Sequence, residues 1–228
     1  MARISLLNSG VCMREQYQDQ LKHVTEDLAE MSRLVESAMS KATKSLLDAN
    51  LLLADEVIAE DDVIDELGNK VENQTMSILA LQQPVASDLR LLAGALKISS
   101  TLERMGDLAS HVAKQAKLRH PNVSVPRELI ETFSKMGDIA NEVIRRSTRA
   151  IAVGDTEQAV DIARAENEMD ELHRELFGKV LSEDWSHGVE AAIDITLLGR
   201  YYERFADHGV ALARRVAYVL TGEMPAKE

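Results

Sequence analysis

The four prolines of this chain, Pro84, Pro121, Pro126 and Pro225, all fall outside its long apolar-periodic stretches. This placement restricts the fold more than any other feature. Proline removes a helical hydrogen bond and clashes with the preceding turn, at a cost of ~3 kcal/mol in a helix interior. The stretches between prolines are therefore free to form helices of unusual length. The first carries Leu21, Val24, Leu28, Met31, Val35, Ala38, Met39, Ala42 and Leu46. Steps of three and four place these residues on one stripe of a helix at about 14–48. A second helix at about 51–81 carries Leu53, Val57, Ile64, Leu67, Val71, Ile78 and Leu79.

Pro84 suits the first turn of a third helix, where the missing N–H is not needed. That helix runs to about 118 with Leu89, Leu92, Leu96, Leu102, Ala109 and Val112. The segment His120-Pro121-Asn122-Val123-Ser124-Val125-Pro126 then stops the pattern and reads as a linker. The pattern restarts with Leu129, Phe133, Met136, Ala140, Val143, Ile144 and Ile151, and Gly154-Asp155 closes this fourth helix. A fifth is expected at about 156–181 and a sixth at about 186–220.

Three long helices occur twice, and the two sets share wording. Asp65-Glu66-Leu67 returns as Asp170-Glu171-Leu172, 105 positions later. At the same offset Met31 meets Met136, Leu34 meets Ile139 and Leu46 meets Ile151. Glu103-Arg104-Met105-Gly106-Asp107 returns as Glu203-Arg204-Phe205-Ala206-Asp207, at an offset of 100. The second copy is thus five residues shorter between its second and third helices. An internal repeat of this kind predicts an all-α chain of two three-helix bundles related by a pseudo-twofold.

Charge narrows the function. The formal net charge is −12, the opposite of the basic surface that displaces counterions from nucleic acid. DNA and RNA are disfavoured as main partners, while protein partners and cations fit. A single cysteine, Cys12, excludes an internal disulfide and fits a reducing cytoplasm. No run approaches the ~18 apolar residues of a membrane span. Residues 1–12 make a poor signal peptide and read as a flexible extension, with Met13 as an alternative start.

The residues best suited to chemistry are acidic pairs spaced i, i+4. Asp61 and Asp65 lie on the second helix, and Glu103 and Asp107 on the third. Their counterparts are Glu166 with Asp170 and Glu203 with Asp207. Four residues turn a helix through ~400°, so each pair shares one face, ~6 Å apart along the axis. Neighbouring helices then bring four carboxylates together, and like charges at that spacing repel. Water, arginines or a bound cation offset the repulsion. Carboxylate oxygens suit Mg²⁺, Ca²⁺, Mn²⁺ and iron. A lone acidic pair is usually a solvated face; recurrence in both copies favours metal binding here.

Arg104 and Arg204 follow the motif glutamates and are candidates for ion pairs with these carboxylates. Gly94, Gly106 and Gly199 lie inside helices and predict close helix–helix contact. His111 shares the face of Glu103 and Asp107, and His208 follows Asp207. Asp170-x-x-His173 and Asp184-x-x-His187 echo the di-iron spacing, but that class needs Glu-x-x-His, which this chain lacks. There is no nucleophile elbow, Lys-Ser/Thr phosphate loop or dinucleotide fingerprint, so no enzyme is expected.

The strings Asp61-Asp62-Val63-Ile64-Asp65, Glu103-Arg104-Met105-Gly106-Asp107, Glu166-Asn167-Glu168-Met169-Asp170 and Glu203-Arg204-Phe205-Ala206-Asp207 resemble the acidic motifs of the PhoU family. Gln83-Pro84-Val85-Ala86-Ser87-Asp88-Leu89-Arg90-Leu91 resembles the same family's loop and third-helix start. The resemblance covers roughly residues 13–220. It implies tandem antiparallel bundles over residues 13–119 and 127–221, with a linker at 120–126 and a tail at 222–228.

The resemblance also implies metal ligands at Asp61, Asp65, Glu103, Asp107, Glu166, Asp170, Glu203 and Asp207, for Fe, Zn, Mg or Mn. It implies no catalytic or organic-cofactor residues. The role it implies is a cytoplasmic negative regulator of the phosphate-starvation response and of phosphate uptake. Such a regulator is an adaptor between the ATPase of the phosphate-specific ABC transporter and a sensor histidine kinase, commonly a homodimer, peripheral to the membrane only through these partners. The competing reading is a carboxylate-bridged metal bundle with a storage or enzymatic role. Two departures stand out. Arg90 has Glu190 as its counterpart, and Asp62 beside Asp61 leaves the first ligand position ambiguous.

Overall fold

Among the described residues, six helices follow one another in the order the periodicity predicts. The computed structural model describes residues 2–153 and 162–223. The helices are α1 (Ala2–Asp48), α2 (Leu51–Gln82), α3 (Ala86–Arg119), α4 (Ile130–Val153), α5 (Ile162–Val180) and α6 (Gly188–Thr221). A 3-10 turn, Arg127–Leu129, leads into α4. The Gly154-Asp155 stop and the expected start of the fifth helix lie outside the described residues.

Local chemistry sets the boundaries. Ala49 takes a left-handed conformation after α1, and the Asn50 side chain then accepts a hydrogen bond from Leu53 N–H at 3.2 Å. That bond satisfies one of the orphan donors at the start of α2. Gly222, with φ of 83°, ends α6 by donating its N–H to Tyr218 O at 2.9 Å.

One expectation changes. Pro84 is not in the first turn of α3. It lies in the short connection between Gln83, which is left-handed, and Val85, the extended residue before Ala86. The backbone of α1 is helical from Ala2. No proline interrupts that segment, and adding a residue to an existing helix avoids the cost of nucleation.

The helices α1, α2 and α3 pack on one another, as do α4, α5 and α6. Two seams, α3 on α6 and α1 on α4, join the bundles. The α1 stripe from Leu21 to Leu46 is buried at all nine expected positions. So are Leu129, Phe133, Met136, Ala140, Val143 and Ile144 at the start of the second copy. The buried residues of both bundles merge into one core rather than two. Leu89 differs: it is exposed near the start of α3, in a groove with Arg215 and Tyr218 of α6.

The α3–α6 seam is antiparallel. Gly94 meets Val219, Met105 meets Gly209, and Arg119 meets Asp194. An added Cβ on Gly94 would come within 2.2 Å of Val219 Cγ2, so the expectation of close contact at this glycine holds. These contacts also reveal the internal twofold. Gly94 and Val219 occupy the repeat positions of Asp194 and Arg119. One end of the seam is therefore an apolar contact and the other an ion pair. The Arg90/Glu190 difference follows the same rule: Arg90 Nε donates to Val219 O at 3.0 Å, whereas Glu190 pairs with Arg119.

Candidate functional site

The first acidic cluster forms where α2 and α3 come close. Gly106 of α3 permits the approach: a Cβ there would lie 3.1 Å from Ile64 Cδ1 and 3.4 Å from Asp61 Oδ1. Gly68 of α2 does the reverse. A Cβ on Gly68 would fall 1.9 Å from Glu103 Oε1, so the Glu103 carboxylate occupies the room that a side chain would fill. Ser99 Oγ donates to Gly68 O at 3.5 Å on the same contact. Thus Asp61, Asp65, Glu103 and Asp107 share one helix–helix groove, as the spacing predicts.

Burial and like charge disturb these acids. Burial pushes the Asp65 carboxyl up, and Asp61, Asp107 and Asp62 push it further. Glu103 is raised by burial, then by Asp65, Glu72 and Asp107, with Arg104 opposing. Glu72 is a member that the four-residue motif misses. It lies seven residues after Asp65, two helical turns along the same face, and that heptad spacing is the signal that identifies it.

The second cluster is built from α5 and α6. Burial raises Glu203, and Asp207 and Asp170 add to the effect against Arg200 and Arg204. Asp207 is raised by burial and by Asp170. Glu166 stands one helical turn before Asp170 on α5. His173 joins Asp170 and Asp207 in this cluster. Its ring packs against Gly199, where an added Cβ would be 3.1 Å from His173 Cδ2. Burial lowers its pKa, and Arg200 lowers it further, while Asp170 and Asp207 oppose them.

The arginines divide unequally. Arg104 Nη1 reaches Asp107 Oδ2 at 3.3 Å in an exposed pair. In the second copy Arg200 takes the motif glutamate, with Nη1 2.5 Å from Glu203 Oε1. Arg204 has no hydrogen bond or ion pair among the described residues. Arg104 and Arg204 both line a groove on the α3–α6 seam, with His111 and His208.

A divalent or trivalent cation would suit these donors. Glu203 Oε2 and His173 Nε2 are buried without a hydrogen-bond partner. Buried polar atoms are ordinarily paired, so these two are open to a Lewis acid or water. Among the described residues, no three His, Cys, Asp or Glu side chains converge tightly enough to hold a metal ion as they stand. The donor set fits in chemistry, and its side chains must close in to coordinate.

The sequence pattern of the PhoU domain matches residues 28–116 and again 133–216, one match per bundle. The chain belongs to the PhoU family. It is 44% identical over 213 residues to the phosphate-specific transport system accessory protein PhoU homolog 1 of Mycobacterium leprae. That alignment covers 93% of this chain and 96% of the relative. PhoU homolog 2 of Mycobacterium tuberculosis is also 44% identical, over 93% of this chain and all of its own length. The crystal structure of PhoU from Pseudomonas aeruginosa superposes with a TM-score of 0.83 at 30% identity, covering 91% of this chain and all of that one. Both of these relatives are accessory proteins of the phosphate-specific transport system. Among the described residues, no helix is long and apolar enough to cross a membrane.

Proposed function

We propose that this chain is a phosphate-transport accessory protein that holds the phosphate-starvation response and phosphate uptake in check when phosphate is plentiful. It acts in the cytoplasm as a homodimeric adaptor between the phosphate transporter's ATPase and a sensor histidine kinase. The family relationship over both bundles supports this role. The observation that carries a ligand-dependent version of it is the pair of acidic clusters at repeat-equivalent places.

In this reading Asp61, Asp65, Glu103 and Asp107 bind cations in the first bundle. Glu166, Asp170, Glu203 and Asp207 do so in the second. A bound cation supplies positive charge where burial and repulsion now disfavour the ionised acids. An all-oxygen first cluster suits Mg²⁺ or Mn²⁺, and an imidazole in the second suits iron or zinc.

Two measurements test the proposal separately. Deleting the gene should switch on phosphate-starvation genes in high phosphate; continued repression, in a strain with no second copy, rules out the regulatory role. Elemental analysis of protein purified without chelator tests the cation. Near-zero metal, unchanged after adding Mg²⁺, Mn²⁺, Fe²⁺ or Zn²⁺, rules out the metal reading. Glu103→Ala combined with Asp107→Ala should lower metal uptake while circular dichroism shows the helices intact.

A further inference from the structure

The chain carries a net charge of −12, yet one groove on the α3–α6 seam gathers basic groups. Arg104, His111 and Leu108 enter it from α3, and Arg204 and His208 from α6. Its volume is about 360 Å³. Arg104 and Arg204 are the same position in the two repeats, 100 residues apart. Because α3 and α6 cross antiparallel near Met105 and Gly209, the internal twofold runs through this groove. The symmetry of the fold thus delivers the same guanidinium twice to one place.

Neither guanidinium is strongly engaged. Arg200 already holds Glu203, the nearest obvious partner for Arg204. Arg104 has only its 3.3 Å contact with Asp107, with the arginine side chain 70% exposed. His111 is held in place by stacking on Tyr201, at 5.2 Å between ring centroids. Asp107 is the one acidic side chain lining the groove, and an anion there competes with it for Arg104.

Two planar forks converging from opposite helices match an anion with several equivalent oxygens. Arginine forms paired, charge-assisted hydrogen bonds with phosphoryl oxygens, and imidazole N–H groups supply further donors. We propose that this groove binds a phosphoryl-class oxyanion, clamped between Arg104 and Arg204. Inorganic phosphate and a phosphorylated side chain share this chemistry. The inference goes beyond the adaptor and cation reading and does not rest on it.

The test is calorimetric titration of the chelator-treated full chain with sodium phosphate at constant ionic strength. Saturable binding is expected, weakened about tenfold or more in Arg204→Gln and in Arg104→Gln. Arg204→Lys, which keeps the charge but loses the fork, should fall between wild type and Arg204→Gln. Lys97→Gln, elsewhere on α3, should bind as wild type. Thermal melts of each variant exclude unfolding as the cause. A second arm titrates a phosphoserine peptide: tighter binding than phosphate identifies a phosphorylated partner as the source, and weaker binding identifies the free anion. No saturable binding of either probe up to ~20 mM, or wild-type binding by both glutamine variants, overturns the proposal.

Discussion

Arg119, at the end of α3, donates from Nε and Nη2 to the two carboxylate oxygens of Asp194 on α6, at 2.6 and 3.0 Å. Asp194 is only 8% exposed, so this fork closes one end of the seam between the bundles in a largely dry setting. Glu190 adds a second acid to the same guanidinium. Removing the arginine leaves a buried carboxylate without its partner, which is the destabilising way to break such a pair. Arg119→Gln should therefore lower the melting temperature by several degrees. Arg104→Gln, at an exposed pair, should change it little. Differential scanning calorimetry on the two variants gives the comparison, and equal effects would mean the fork carries no special role.

Glycines on the seams should respond oppositely from a glycine in the acidic groove. An added Cβ at Gly94 or Gly209 meets a stiff β-branched valine at 2.2 Å, Val219 or Val143. Gly94→Ala and Gly209→Ala should each cost ~1–3 kcal/mol by overpacking, offset in part by ~1 kcal/mol of helix propensity. At Gly68 the obstacle is the end of the flexible Glu103 side chain, so Gly68→Ala should keep or slightly raise stability while expelling that carboxylate. Urea denaturation measures all three.

Protonation of Glu103 has a defined sign. Its folded pKa is raised by burial and by Asp65, Glu72 and Asp107. The folded state therefore favours the proton more than the unfolded state does. That contribution to stability is fully present below the unfolded pKa and is lost as pH rises through the folded pKa. Metal-free wild type lacks it once pH has passed the folded pKa, whereas Glu103→Gln resembles the protonated form. The variant should then melt higher, by about 1–3 °C, with the gap closing at acid pH.

Cation binding, if it follows the proposed reading, should stabilise the fold by mass action. A ligand at a hundred times its dissociation constant contributes about 2.7 kcal/mol. Mn²⁺ should then raise the melting temperature of wild type and raise it less in Asp65→Asn with Glu103→Gln. A flat response in wild type would contradict the proposal.

The helices were legible because long stretches of 3.6-residue periodicity met no proline. The stripe from Leu21 to Leu46 is buried throughout for that reason. Periodicity does not foresee that Leu89 stays exposed, because it records hydrophobicity and not how closely the ends of two helices pack. Asp65, Glu103, Asp107, Asp170, Glu203 and Asp207 could be found from spacing, since i, i+4 residues share a face whatever the fold. Glu72, Gly68, His173 and Arg200 could not be placed with them from the motif alone. Their membership depends on how far one helix slides past the next, which the α2–α3 and α5–α6 contacts decide.

The glycine contacts bear on how far the two halves have become committed to themselves. In the first bundle the small residue is Gly68 on α2, facing Ser99 and Glu103 of α3. At the corresponding places the second bundle has His173 on α5 and Gly199 on α6. The missing side chain has changed helices. A chimera joining α2 to α6 would set glycine against glycine and open a void. One joining α5 to α3 would set an imidazole against a serine where the second bundle has bare backbone. The duplicated units still share an outline, but their parts are no longer exchangeable singly: a viable graft would have to move both helices of a bundle together.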